Sequence, residues 1–205
     1  RYDGEFVVRF DDTDPETKRP DLSAYDAILE DIEYLGFEPD EVYRASDRVE
    51  TYYDHARELI AMGEAYTCDL PAEEFSALKR EGTPSPNRDK DPETVLEEFE
   101  AMVDGDYESG EMVLRVKTDI EHKNPALRDW VAFRMIDTPH PREEAADYRC
   151  WPMLDFQSGI DDHLVGITHI IRGIDLQDSA KRQQFLYDYF GWEYPEVLHW
   201  GHVQI

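Results

Sequence analysis

Three things are scarce in this chain: cysteine, positive charge and long apolar runs. Only Cys68 and Cys150 occur in 205 residues, far apart and without the spacing of a disulfide framework or a four-ligand zinc site. A disulfide-stapled scaffold is thereby excluded, and a reducing cytoplasm is the compartment that fits. No stretch nears the roughly 20 apolar residues of a membrane span, and the first residues lack a secretion-signal pattern. Lys and Arg number 21 against 48 Asp and Glu, for a formal charge of −27, which opposes an anionic partner at ordinary ionic strength. The acid is not gathered into a tail. Asp26, Glu30, Asp31, Glu33, Glu97, Glu98 and Glu100 spread it over successive polar faces, the pattern of a hydrated, self-repelling surface that concentrated salt must screen.

What is present is a folded α/β chain: 40% of residues are hydrophobic, enough for one sizeable core or two packed lobes. The runs 5–10 and 166–171 read as buried strands. Leu22, Tyr25, Ile28, Leu29, Ile32 and Leu35 recur at helical steps and stop at Gly36; Val49, Tyr52, Tyr53, Ala56, Leu59 and Ile60 do the same before Gly63. A third helix is expected over about 176–190 before Gly191, then a strand over 197–205. Between these flanks Pro and Gly punctuate short elements, which marks an insertion. Its expected pieces are helices over 72–79 and 94–103 and strands over 112–117 and 131–136, with edges near Tyr66 and Cys150.

Two clusters bear chemistry. Arg9-Phe10-Asp11-Asp12-Thr13-Asp14-Pro15 runs a strand into three carboxylates. At the carboxyl end of a strand in an open α/β sheet one of them can hold an ammonium group, or the cluster can be a capped turn before a helix. Arg172 follows an apolar strand and precedes Gly173, poised for two-pronged carboxylate binding or, equally, for a structural ion pair. The neighbouring pairs Asp11 with Asp12 and Asp161 with Asp162 define neither opposed catalytic faces nor a metal ligand set.

Together with Pro152-Met153-Leu154-Asp155-Phe156, the 161–169 segment and Ile171-Arg172-Gly173, the first cluster resembles the glutamyl- and glutaminyl-tRNA synthetase family in its archaeal branch. The ordered blocks 35–37, 124–129 and 189–192 extend the resemblance nearly end to end. It implies an α/β class I synthetase fold: a Rossmann-like parallel sheet, incomplete here, with an inserted α+β subdomain that grips the tRNA acceptor arm. The implied division is 1–66 and 149–205 for the two parts of the nucleotide-binding domain and 67–148 for the insert. It implies that Asp11 holds the α-amino group of L-glutamate and that Arg172 reads its side-chain carboxylate. Leu154 occupies a pocket position where relatives commonly place tyrosine. Gly173 and Asp175 fall beside the expected ATP site, with magnesium as helper, and Asp178 matches a position that meets the acceptor stem of tRNA(Glu). Whether tRNA(Gln) is also charged stays open.

The chain departs from the family pattern in places. The resemblance expects a His-Ile-Gly-His type block before Arg1 and a Lys-Met-Ser-Lys-Ser type loop after Ile205, so the chain reads as a central catalytic-core fragment, inactive alone. His199-Trp200-Gly201-His202 imitates the first block at the wrong place. Cys68 stands near Leu70, Ser85 and Asn87, where archaeal relatives can carry metal ligands, so neither zinc nor another bound metal is expected. The alternatives are a glutaminyl-tRNA synthetase core, against which Arg172 speaks, and a non-catalytic acceptor-arm-binding module.

Overall fold

In the computed structural model, which describes residues 4–201, each end of the chain forms a β-α-β unit with parallel strands. At the amino end, β1 (Val7–Phe10) and β2 (Glu41–Arg44) pair in parallel across α1 (Leu22–Tyr34), which Asp21 caps by accepting the Ser23 N–H at 2.9 Å. At the carboxyl end, β7 (His169–Gly173) and β8 (Glu196–Trp200) pair in parallel across α6 (Gln177–Phe190). Parallel strands need such a crossover because a tight turn cannot return the chain in the same direction. The expected third helix is therefore present, while the last strand ends at Trp200; residues 202–205 of that expectation lie outside the described ones.

Between the two units, β3 (Ala65–Cys68), β4 (Val113–Val116), β5 (Val131–Met135) and β6 (Cys150–Pro152) form an antiparallel sheet in chain order. Helices α3 (Ala72–Glu81) and α4 (Pro92–Val103) are spliced between its first two strands. Pro92 opens α4 where a missing N–H costs nothing, with Asp91 accepting the Glu93 N–H at 2.9 Å. Helix α2 (Val49–Ala61) buries Tyr52, Tyr53, Ala56, Leu59 and Ile60, the stripe its periodicity predicts. Tyr53, Phe99 and Phe133 meet edge-on or tilted, and Phe133 meets Phe156 with centroids 5.0 Å apart. This aromatic chain joins α2, α4, the sheet and the helix that follows it. The stripe on α1 fares differently: Tyr25 is buried, but Leu22, Ile28 and Leu35 are exposed.

The helix joining sheet to carboxyl unit, α5 (Leu154–Leu164), was not foreseen, and its inward face explains why. It buries Asp155, Gln157, Ser158, Asp161 and Asp162 alongside Phe156 and Ile160, so no apolar stripe marks it. Its end also moves the expected strand over 166–171. Gly166 takes φ 75° while its N–H and that of Ile167 return to the carbonyls of His163 and Asp162, a left-handed stop that only glycine adopts without strain. The strand consequently starts at His169.

Buried carboxylates survive only when paired. Fully buried Asp161 accepts from Arg48 Nε at 2.8 Å, Tyr52 Oη at 2.6 Å and Gln157 Nε2 at 2.9 Å, which ties α5 to α2. Burial, with Asp161 alongside, pushes the Tyr52 hydroxyl far above its ordinary pKa, so it stays a donor. A comparable knot fixes the loop after β1. Asp12 accepts from Tyr25 Oη at 2.7 Å, Ser46 N at 2.8 Å and Ser46 Oγ at 2.7 Å, and its backbone carbonyl accepts from His140 Nε2 at 2.9 Å. His140 Nδ1 in turn accepts the Arg142 N–H at 3.1 Å, so the ring is required neutral, and burial lowers its pKa below 6.5.

Two outcomes follow from these knots. Asp161→Ala strands a guanidinium and a hydroxyl and is expected to cost about 3 kcal/mol in denaturant unfolding; a cost under ~0.5 kcal/mol would remove the network from the determinants of the fold. The neutral His140 contributes stability that is complete above its unfolded pKa and is lost as pH falls through its depressed folded value. Stability should therefore drop as pH falls below about 6.5, with the part due to this ring absent in His140→Gln.

Candidate functional site

At the carboxyl ends of β1 and β7 the first turn of α5 closes a cleft of about 340 Å³, lined by Arg9, Asp11, Tyr43, Leu154, Asp162 and Arg172 among others. Strand alternation puts residues two apart on one face, so Arg9 on β1 and Asp11 just past its end project to the same side, where both line the cleft. Arg9 donates from Nε to Asp11 Oδ1 at 2.6 Å and from a terminal nitrogen to Asp162 Oδ1 at 2.8 Å. Burial works against its charge, but Asp11 and Asp162 outweigh that and raise its pKa beyond the ordinary range. Asp162 is itself pushed upward by burial, an effect that Arg9 and Arg172 counter.

The two arginines are unequally engaged. Arg9 is clamped between two carboxylates, whereas the Arg172 guanidinium lies 3.8 Å from Asp162 Oδ2 and among the described residues has one hydrogen bond, to Gln183 Oε1 at 3.1 Å. A neutral amide and a distant carboxylate leave most of its five donors for a ligand. Asp11 has the complementary position: Oδ1 takes Arg9 Nε and Gln157 Nε2 at 3.1 Å, leaving Oδ2 without a hydrogen-bond partner among the described residues. Such a cleft can take a small molecule with a carboxylate at one end and an ammonium at the other.

The three carboxylates of the first cluster thus have three fates. Asp11 lines the cleft; Asp12 is buried in the loop knot; Asp14 accepts the Thr17 N–H at 2.9 Å and pairs with Arg134 at 3.0 Å. Leu154 and Arg172 line the same cleft as Asp11. Gly173 is the last residue of β7 and Asp175 lies in the 3-10 turn Ile174–Leu176. Asp178 sits apart in the first turn of α6, accepting from Asn124 Nδ2 at 2.9 Å. Arg9 and Asp162 went unassigned in the sequence reading. The i, i+2 spacing from Asp11 was a usable signal for Arg9; nothing local marked Asp162.

A second hollow of about 310 Å³ adjoins the first and shares Leu154, Asp155 and Ser179 with it. Lys79, Arg115 and Arg182 face it from α3, β4 and α6. Arg182 pairs with Asp155 at 2.6 Å, and the Arg115 guanidinium lies 3.3 Å from the Phe75 ring centroid, a cation-π stack. Lys79 has no ion pair among the described residues, and burial, with Arg182 and Arg115 nearby, lowers its pKa to about 8. In a chain of charge −27 this is a local excess of cations. Among the described residues no group of three or more His, Cys, Asp or Glu is arranged to hold a metal ion, and no helix is long and apolar enough to cross a membrane.

Comparison with known proteins places the chain in a family and a fold. The family model for tRNA synthetases class I (E and Q), catalytic domain, matches residues 1–203. Glutamate–tRNA ligases of Halobacterium salinarum and Haloarcula marismortui are 80% and 78% identical over the whole chain, and that of Archaeoglobus fulgidus 56%. The chain spans 35% of the length of the first two and 37% of the third. A crystal structure of a glutamate tRNA ligase from Elizabethkingia meningosepticum, in complex with its amino acid, shares the fold at TM-score 0.65 and 23% identity, covering 98% of this chain and 43% of that one. A synthetase structure from Elizabethkingia anophelis gives 0.65 and 22%, over 98% and 44%. The two parallel β-α-β units, the antiparallel sheet between them and the match along nearly the whole sequence have one explanation: the chain belongs to the catalytic domain of the class I glutamyl- and glutaminyl-tRNA synthetases.

Proposed function

We propose that the protein carrying this chain activates L-glutamate with ATP and transfers the glutamyl group to the 3′ end of tRNA(Glu). The observation that carries the reading is the unequal pairing of the two cleft arginines: Arg172 retains free donors while Arg9 is clamped by Asp11 and Asp162. In this reading Arg172 takes the side-chain carboxylate and Asp11 the α-ammonium, with Leu154 as an apolar wall. The α-carboxylate is then left to attack the α-phosphorus of ATP, with pyrophosphate leaving, before a terminal ribose hydroxyl of the tRNA displaces AMP. No protein nucleophile is needed; positioning and charge stabilisation carry the reaction. Gly173 and Asp175 would border the nucleotide, which brings magnesium on its phosphates. A guanidinium matches a carboxylate and leaves a neutral amide poorly served, which disfavours a glutaminyl enzyme.

Residues 67–148 would be the part that meets the acceptor arm, with 1–66 and 149–205 belonging to the nucleotide-binding domain, and Asp178 would face the acceptor stem. The hollow of Lys79, Arg115 and Arg182 supports this, since an acidic chain that takes RNA needs a local positive path. Matching relatives from Halobacterium, Haloarcula and Haloquadratum support a cytoplasm rich in salt as the setting. There shape and hydrogen bonds must supply what counterion release cannot.

Charging of tRNA by the full-length protein in molar potassium chloride tests the reading. Arg172→Ala should raise the glutamate KM by roughly a hundredfold, the ~3 kcal/mol of a lost charge-assisted pair, with the variant still folded; unchanged charging would overturn the assignment. Lys79 contributes to RNA binding only while protonated, so its share should fall as pH rises through about 8. Lys79→Ala should weaken tRNA binding roughly tenfold at about pH 7, and Lys79→Arg should abolish the pH dependence without loss of affinity.

A further inference from the structure

The contact between α5 and α6 contains an amide whose orientation the structure dictates. Gln183 is fully buried and does not line the cleft, yet it reaches Arg172. Ser158 Oγ donates its single proton to the Leu154 carbonyl at 2.6 Å, so towards Gln183 it can act only as an acceptor, and Gln183 Nε2 donates to it at 2.7 Å. That assigns the other end of the amide. Oε1 faces Arg172, accepting from its guanidinium at 3.1 Å and from Tyr194 Oη at 2.9 Å. Gly159 makes room for the arrangement: a Cβ there would lie 3.3 Å from Gln183 Cγ and 3.4 Å from Leu186 Cδ1, tighter than a packed interior tolerates without a shift.

We infer that Gln183 is a positioning residue for glutamate selection, holding the Arg172 guanidinium towards the cleft through an amide that Ser158 orients and Gly159 admits. The inference rests on the reading of Arg172 as the side-chain carboxylate contact. A neutral acceptor suits the task. It fixes the guanidinium through one hydrogen bond and leaves its charge for the substrate, whereas a carboxylate at the same place would neutralise it. The nearby carboxylate, Asp162, remains at 3.8 Å from Arg172 and is already engaged by Arg9 at 2.8 Å.

The test is steady-state charging by the full-length protein, with glutamate and ATP varied separately and folding monitored by circular dichroism. Gln183→Met should raise the glutamate KM by roughly ten- to a hundredfold, with kcat and the ATP KM nearly unchanged and glutamine discrimination reduced. Gln183→Glu keeps the shape and should do the same by pairing with Arg172. In an Arg172→Ala background neither change should raise the glutamate KM further. Equal effects in both backgrounds would make Gln183 merely structural, and an unchanged KM in folded Gln183→Met and Gln183→Glu would overturn the inference. If Arg172→Ala alone left the glutamate KM unaltered, the reading of Arg172 would fall and this inference with it. A large Arg172→Ala effect beside a silent Gln183 would sink the inference only. Should Gln183→Met not fold, Gln183→Glu and Gly159→Ala, which crowds the amide without removing it, read the same coupling.

Discussion

The pairing of the carboxylates on the inward face of α5 is the constraint on which the site depends. Asp155, Asp161 and Asp162 lie on one short helix and are each less than a tenth exposed. Unpaired, any one would cost several kcal/mol. Each is met by an arginine from a different element: Arg182 on α6, Arg48 before α2 and Arg9 on β1. The helix thereby ties the amino-terminal unit, α2 and the carboxyl-terminal helix together by charge. Apolar packing through Phe133 and Phe156 alone would leave those orientations less restricted.

That pairing also decides what the cleft can bind. Because Asp162 engages Arg9 more closely than Arg172, the two guanidinia cease to be equivalent, and Arg172 is the one whose charge is less engaged by the protein's own carboxylates. Asp11, half engaged by Arg9 and Gln157, keeps an oxygen for a cation. The cleft sets two arginines against three aspartates, one of which, Asp155, is taken up by Arg182 from outside, and its free valences are one cationic and one anionic. The adjoining hollow differs in kind. It concentrates Lys79, Arg115 and Arg182 against one carboxylate, while the outer surface carries the acid that gives the chain its charge of −27.

Much of the fold was legible where burial is apolar and local. The stripe of α2, the glycine stops at Gly63 and Gly191, the α3 and α4 segments and the strands β4 and β5 follow from periodicity and turn chemistry, since those signals record which residues leave water. The α1 stripe was read correctly as a helix, yet Leu22, Ile28 and Leu35 remain exposed: periodicity predicts the helix, not what covers it. Helix α5 escaped because a face made of aspartate, glutamine and serine has the pattern of a solvated surface; the arginines that permit its burial come from up to 153 residues away.

The sequence by itself determined the α/β class, the family resemblance and the placing of Asp11 and Arg172 at strand ends, because strand period and ordered motifs are properties of neighbours in the chain. Only the tertiary structure decided which of three adjacent aspartates faces the cleft, which arginine stays available, and that Gln183 reaches Arg172 through the space left by Gly159. Those outcomes depend on which charges and donors meet across elements, and a buried ion's free valence is fixed by partners that only folding brings within 3 Å or so.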